Sequence, residues 1–149
     1  MKKRIMALDY GSKTVGVAVT DGLGLTAVSV GTIKRDRENQ LRATYRRINE
    51  LIDEYDVGSI VVGLPLNMDG TESDRSILAR RFGEDLSRRT GLSVVMQDER
   101  LTTVEADEIM SLTGSHKGNR KDRIDAVAAA VILTDYLGQH ADEQHNLHG

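Results

Sequence analysis

The sequence predicts an α/β fold in which helices flank a five-stranded mixed sheet. Three short segments rich in β-branched residues follow one another closely over residues 3–34. Two later apolar segments, over 59–64 and 92–98, are each preceded by a helical pattern. Strands joined by tight turns form an antiparallel meander, whereas strands separated by a helix return by a crossover connection. The predicted order of elements is therefore β-β-β-α-β-α-β-α-α.

The meander is predicted from its alternation and its turns. Its strands are expected over 3–10, 14–20 and 25–34. The turn Gly11-Ser12-Lys13 joins the first two strands, and Asp21-Gly22 begins the turn before the third. These connections are too short for a crossover helix, so the three strands should be antiparallel neighbours.

Two helices are predicted around the first crossover strand. Apolar residues at helical spacing favour a helix over about 37–55, with a charged opposite face. Thr71, followed three residues later by Asp74, resembles a capping box that begins a second helix. This helix is expected to end at about residue 90, because Gly91 is typical of a helix C-terminus.

The C-terminal third is predicted to contain two more helices. Thr102 and Glu105 form a second capping-box pattern, and Gly114 ends the helix that they begin. A polar, basic loop follows over 115–121, and the last helix is expected over about 122–137.

Length and composition predict one soluble domain over 1–138, followed by a polar, flexible tail over 139–149. The 149 residues are 39% hydrophobic and include no cysteine, which excludes disulfides and thiolate metal sites. No apolar run approaches the roughly 20 residues of a membrane helix, and no signal peptide is expected before the first strand. A cytoplasmic location is therefore predicted. Since the net charge is −3, any nucleic-acid binding must come from a local basic patch.

Three carboxylates stand where an apolar segment meets a different element. Asp9 ends the first strand, Glu99 follows the last strand, and Asp125 opens the apolar stretch of the final helix. An unpaired charge is costly to bury, so carboxylates drawn from distant segments to strand ends indicate a divalent-metal site. Strand alternation sends Asp98 and Glu99 to opposite faces, and spacing alone does not decide which of them joins the site.

A fourth acid, Asp122, lies one helical turn before Asp125 on the same helix face. Acids in the first turn of a helix are also favoured by the helix dipole, and Asp122 is a candidate helix cap. It is therefore only a possible additional metal ligand.

Candidate substrate-binding residues lie close to these acids along the chain. They are Gly11, Lys13, Asn67, Arg100, Lys117, Arg120 and Lys121. Glycine lets a backbone approach a phosphate, and cations neutralise phosphates. The alternatives are structural: a simple β-turn after Asp9, an ion pair between Arg100 and a neighbouring carboxylate, and a solvated loop over the basic residues.

Four segments resemble the YqgF (RuvX) family of the ribonuclease H-like superfamily. They are Leu8-Asp9-Tyr10-Gly11-Ser12-Lys13-Thr14-Val15-Gly16-Val17-Ala18, Val62-Gly63-Leu64-Pro65-Leu66-Asn67-Met68-Asp69-Gly70-Thr71, Asp98-Glu99-Arg100-Leu101-Thr102-Thr103-Val104-Glu105-Ala106 and Asp125-Ala126-Val127-Ala128-Ala129. The resemblance implies a ribonuclease H-like fold with catalytic carboxylates at Asp9, Glu99 and Asp125. It thereby favours Glu99 over Asp98. Asp122 and Asp125 are also similar to the Asp-x-x-Asp pair of RuvC-type resolvases.

The resemblance also implies a function. The family was first described as a Holliday-junction resolvase and later as a nuclease that matures the 5′ end of pre-16S ribosomal RNA. We therefore expect a nuclease of ribosome biogenesis that holds Mg²⁺ or Mn²⁺ at its carboxylates. Structured RNA is favoured as substrate over branched DNA, with ribosomal precursor particles as partners, no membrane, and a monomeric or homodimeric state.

Two other functions are consistent with parts of the sequence. Actin-like ATPases also end their first strand in Asp-x-Gly, but they bind nucleotide in a cleft between two domains. One domain of 149 residues cannot form that cleft alone. A non-catalytic RNA-binding assembly factor is the other alternative, in which the carboxylates form structural ion pairs.

Overall fold

A mixed five-stranded sheet forms the centre of the molecule. The computed structural model describes residues 3–100 and 120–148, with side chains for 3–100 and 125–140. The strands are β1 (Arg4–Tyr10), β2 (Thr14–Thr20), β3 (Ala27–Lys34), β4 (Val57–Leu64) and β5 (Ser93–Asp98). Their order is β3-β2-β1-β4-β5; the β1–β2 and β2–β3 pairs are antiparallel, and the β1–β4 and β4–β5 pairs are parallel. The predicted meander and the two crossover strands are confirmed.

Helices cover both faces of this sheet. They are α1 (Arg42–Tyr55), α2 (Asp74–Thr90) and α3 (Arg120–His148). Helices α1 and α2 pack on one face, where Met6 and Leu8 of β1 meet Phe82 of α2. Helix α3 packs on the other face, where Ala7 of β1 meets the apolar stretch of α3. Because side chains alternate along a strand, Asp9 shares the α3 face with Ala7, and Tyr10 shares the opposite face with Leu8.

The helix starts differ from those predicted. Helix α1 begins at Arg42, five residues late, because the Nε of Arg35 donates to the carbonyl of Glu38 and holds this segment in a turn. The capping box of α2 is formed by Ser73 and Ser76, so the predicted pairing of Thr71 with Asp74 is wrong.

The last helix is longer than predicted. Helix α3 begins at Arg120 and its backbone stays helical to His148, through the segment predicted to be a flexible tail. The tail contains no proline, and the single Gly138 costs only about 1 kcal/mol relative to alanine in a helix. The predicted helix over 102–114 and most of the basic loop lie outside the described residues. Within the described part of the chain, no helix is long and apolar enough to cross a membrane.

Candidate active site

Asp9 lies between two glycines in a row across the sheet. Its antiparallel partner on β2 is Gly16. On the other side Leu8 pairs with Val62 of β4, which places Gly63 beside Asp9. The Asp9 side chain therefore lies on the α3 face with no side chain on either neighbouring strand, and other groups can approach it from both sides.

Gly16 allows the helix that carries Asp125 to come close. A Cβ atom added at Gly16 would lie 1.9 Å from the carbonyl oxygen of Asp125 and 2.6 Å from its carbonyl carbon. Any side chain at this position would therefore overlap the α3 backbone. An isolated glycine in a strand is typical of such a close backbone approach, and here it brings Asp125 to Asp9.

Gly63 makes the corresponding room for Glu99. A Cβ atom at Gly63 would lie 2.7 Å from the Cδ of Glu99 and 2.6 Å from the Cδ1 of Ile132 on α3. The backbone amide of Glu99 donates to the carbonyl of Leu64 at 3.1 Å, which holds the chain against β4 just past the end of β5. The Glu99 carboxyl thus lies over the strand next to Asp9.

The three acids interact electrostatically. Burial, together with the nearby charge of Asp125, raises the pKa of Asp9 from 3.8 to about 6, although the Arg75 guanidinium opposes this rise. Burial raises the pKa of Glu99 from 4.5 to about 7, and the charges of Asp9 and Asp98 add to the effect. Asp9 is the common neighbour that links the three acids.

Asp98 has a different partner from Glu99. Its carboxylate accepts hydrogen bonds from the Nε and the backbone amide of Arg100, and Arg100 Nη2 lies 2.8 Å from Asp98 Oδ2. These contacts hold the pKa of Asp98 below its ordinary value. The structural alternative for Arg100, an ion pair with a neighbouring carboxylate, is therefore present. Arg100 also reaches the carbonyl of Met68 at 3.5 Å, across the turn after β4.

Asn67 is occupied within that same turn. Its Nδ2 donates to the Oγ1 of Thr71 at 3.0 Å and to the carbonyl of Glu72 at 3.2 Å. Thr71 in turn donates to Asp69. Asn67 therefore stabilises the turn after β4, at the edge of the candidate site. Both hydrogen bonds of its amide nitrogen are made within this turn.

The turn after Asp9 is held by a buried arginine. The backbone amide of Gly11 donates to the carbonyl of Thr14 at 2.7 Å, and the carbonyl of Gly11 accepts from Arg35 Nη2 at 2.6 Å. Gly11 therefore does not present a free backbone N–H to a phosphate. Arg35 is only 9% exposed, and within the described residues its Nη1 has no partner. Lys13 is exposed on this turn, next to the end of β1.

Arg75 is a site residue that the sequence did not reveal. It lies in the first turn of α2, bonds Glu38 at 2.6 Å and reaches the carbonyl of Tyr10 at 3.4 Å. Its charge acts on Asp9. A cation in the first turn of a helix opposes the helix dipole, and that unfavourable placement was the available signal.

The remaining predicted residues belong to the start of α3 or precede it. Arg120, Lys121 and Asp122 lie in the first turn of α3, on the helix that carries Asp125; their side chains are outside the described part. Because the helix begins before Asp122, this residue is not the helix N-cap. Lys117 lies outside the described residues.

Comparison with known proteins establishes the family. A family model described as RuvX, Holliday junction resolvase, matches residues 3–139. This chain belongs to the RuvX family. A RuvX relative from Lachnospira eligens, named "Putative pre-16S rRNA nuclease", is 53% identical over 134 residues, which are 90% of this chain and 96% of the relative. A relative of the same name from Listeria monocytogenes is 48% identical over 134 residues, with the same two coverages. The family resemblance predicted from the sequence is confirmed.

Solved structures confirm the fold of this RuvX protein. Thermus thermophilus RuvC in complex with a Holliday junction substrate matches with a TM-score of 0.60 at 11% identity, over 92% of this chain and 97% of RuvC. A second Thermus thermophilus RuvC structure gives a TM-score of 0.58 at 14% identity, over 91% and 96%. At these identities the likeness concerns the fold.

The carboxylates of the RuvX protein fit a divalent cation in their chemistry. All three offer oxygen ligands, which Mg²⁺ and Mn²⁺ prefer. Within the described residues the buried Oδ2 of Asp125 has no hydrogen-bond partner. Burial raises the pKa values of Asp9 and Glu99, and a nearby divalent cation would favour their charged forms. As they are placed, no three acids or histidines of the described part lie close enough together to hold an ion. A bound cation would offset the mutual repulsion of the acids and draw them together.

The raised pKa values predict that the metal-free protein loses stability as the pH rises. Between about pH 4 and pH 7 the folded state binds more protons than the unfolded state, because Asp9 and Glu99 titrate at about 6 and about 7 instead of 3.8 and 4.5. The stability contributed by the protonated acids is fully present below their pKa values in the unfolded state. It is lost as the pH rises through their pKa values in the folded state. We expect the free energy of unfolding to fall by on the order of 5 kcal/mol between pH 4.5 and pH 8.

Urea denaturation in a chelator measures this effect. Glu99→Gln should lose part of the decline and be more stable than the wild type at pH 8, since a neutral amide replaces a repelled anion. Parallel pH curves for the wild type and Glu99→Gln would show that the pKa of Glu99 is not raised.

Proposed function

We propose that this protein is a metal-dependent nuclease that hydrolyses phosphodiester bonds in structured RNA, in the 5′-end maturation of pre-16S ribosomal RNA. The observation that carries the proposal is the placement of Asp9 between two glycines, with Asp125 and Glu99 brought in over them. The names of the RuvX relatives support the RNA substrate. The absence of cysteine agrees with action in the cytoplasm, on ribosomal precursor particles.

Each group of residues has a part in the proposed reaction. Asp9, Glu99 and Asp125 would hold Mg²⁺ or Mn²⁺, with Asp122 as a possible additional ligand. When bound, such an ion supplies Lewis acidity toward the phosphate and lowers the pKa of an attacking water. Lys13 and Arg75, the cations beside the end of β1, would hold substrate phosphates. The Arg100–Asp98 pair would fix the rim turn rather than bind phosphate directly.

A Holliday-junction resolvase is the second candidate, and the description of the matching family model favours it. Both functions require the same acids, so they differ in substrate and not in chemistry.

A matched substrate panel tests the proposal. A 5′-extended 16S ribosomal RNA precursor, a DNA four-way junction and linear duplexes are incubated with the protein in Mn²⁺, in Mg²⁺ and in chelator. We expect cleavage of the RNA precursor in either metal and none in chelator. Preferential cleavage of the junction would favour the resolvase. If the protein binds RNA but does not cleave it, and calorimetry detects no Mn²⁺ binding, the result would favour a non-catalytic assembly factor.

A further inference from the structure

A pocket of about 420 Å³ opens on the sheet face opposite Asp125, next to the candidate active site. Its lining residues come from the segment before α1, from α1, from α2 and from the end of β1. They are Tyr10, Glu38, Asn39, Leu41, Tyr45, Leu78, Arg81, Phe82 and Asp85. The volume falls within the range of roughly 300–1,000 Å³ that is typical of small-molecule sites. Tyr10 directly follows Asp9, so the pocket and the acids share one strand end.

One wall of this pocket is aromatic. The ring of Phe82 stacks between those of Tyr10 and Tyr45, with centroid distances of 4.4 and 5.7 Å. Arg35 and Arg89 cover Tyr10 and Tyr45 from outside, at 4.9 and 4.4 Å from the ring centroids. The faces of these rings are therefore covered within the stack, and the wall is apolar and held rigidly. Ring edges remain for the pocket, and an aromatic edge packs well against the face of a planar heterocycle.

The rim of the pocket is polar. Asp85 accepts a hydrogen bond from the hydroxyl of Tyr45 at 3.3 Å, and Glu38 pairs with Arg75. Neither Asn39 nor Arg81 forms a side-chain hydrogen bond or an ion pair with another residue of the described part. The rim thus offers a free amide and a free guanidinium, which can donate to and accept from the edge of a base.

Arg75 connects the pocket with the acids. It pairs with Glu38 on the pocket rim, lies 5.5 Å from the centroid of the Tyr10 ring and acts electrostatically on Asp9. A guanidinium between an aromatic pocket and a strand end is well placed for a phosphate, because it presents several donors in a fixed fork.

We infer that the pocket and Arg75 form a nucleotide subsite, in which the pocket takes a nucleobase near the scissile bond and Arg75 holds the phosphate attached to that nucleotide. The inference rests on the proposed nuclease function, because a nucleic-acid substrate supplies the nucleotide. It adds a base-binding element that the carboxylates do not provide. The base enters the pocket unstacked, so single-stranded or distorted nucleic acid is preferred at this position.

Phe82 provides a direct probe, because it is the only phenylalanine in the sequence. Protein labelled with ¹³C-phenylalanine is titrated with adenosine 5′-monophosphate, adenosine or inorganic phosphate, in chelator. We expect saturable shifts of the Phe82 ring signals with the nucleotide, weaker binding of the nucleoside and no shift with phosphate. Arg75→Gln should weaken nucleotide binding about tenfold and leave the nucleoside unchanged.

Two tryptophan variants separate pocket binding from surface binding. Asn39→Trp puts a large ring on the exposed rim and should abolish the nucleotide-induced shift. Leu23→Trp is the matched control, because Leu23 is 75% exposed on the turn between β2 and β3 and is not part of the pocket. It should bind as the wild type does. Shifts that persist in Asn39→Trp, or no shift in the wild type, would overturn the subsite.

This experiment is independent of the nuclease assay, because it uses no metal and no cleavage. Saturable nucleotide binding in a protein that cleaves no member of the substrate panel would refute the proposed function and leave the subsite in place. Cleavage of RNA with equal rates in the wild type, Asn39→Trp and Arg75→Gln would refute the subsite and the phosphate-holding role of Arg75, and would leave the metal-dependent nuclease activity in place.

Discussion

Asp9→Asn is expected to reduce metal-dependent cleavage by on the order of a thousandfold while the protein keeps its fold. A bound divalent ion contributes several kcal/mol of transition-state stabilisation, and every 1.36 kcal/mol corresponds to a factor of ten in rate. Asp9 lies between Glu99 and Asp125. The charge of Asp125 raises the pKa of Asp9, and the charge of Asp9 raises the pKa of Glu99. Replacing it by a neutral isostere therefore removes the proposed central metal ligand with almost no change in side-chain volume.

The measurement is the single-turnover rate in Mn²⁺, together with RNA affinity and the melting temperature. RNA affinity should stay equal or increase, because one negative charge is lost near the phosphates. Asp36→Asn is the matched control: it makes the same chemical change at an exposed residue just after β3 and should cleave at the wild-type rate. Equal rates in Asp9→Asn and the wild type would exclude Asp9 from catalysis.

The strands were predictable because their determinants are local. Alternation and turn residues lie within a few positions of one another, and β2 was predicted with the bounds that it has in the structure. Helix starts were less predictable, because several hydroxyl residues compete to cap. Ser73 caps α2 because its hydroxyl reaches both the amide of Ser76 and the carbonyl of Pro65, a contact from outside the helix.

The site was predictable only in part, for a physical reason. Asp9 and Asp125 were identified by their positions at element ends, but the choice between Asp98 and Glu99 needed the family resemblance. The structure separates these two acids by contacts, since Asp98 bonds Arg100 and Glu99 lies against Gly63. The roles of Gly16 and Gly63 depend on strand register, and register is set by pairing across the sheet rather than by neighbouring residues.

Gly16→Ala is expected to destabilise the protein by about 3 kcal/mol and to reduce cleavage as well. The added Cβ would lie 1.9 Å from a backbone oxygen of α3, so relief requires the helix to move away from the sheet. Asp125 would then retreat from Asp9. Gly138→Ala, in helix α3, is the control. Nothing in the described part of the chain lies within 4 Å of its added Cβ, so alanine should stabilise the protein by about 0.5–1 kcal/mol and leave cleavage unchanged.

Urea denaturation and the Mn²⁺ dependence of cleavage together distinguish a general loss of packing from a displaced ligand. Displacement of Asp125 weakens metal binding, so Gly16→Ala should need more Mn²⁺ for half-maximal rate at a temperature where it is still fully folded. Excess metal should then restore part of the rate and part of the stability, because binding to the folded state stabilises that state. A variant as stable as the wild type, with unchanged Mn²⁺ dependence, would mean that the close approach of α3 at Gly16 does not position Asp125.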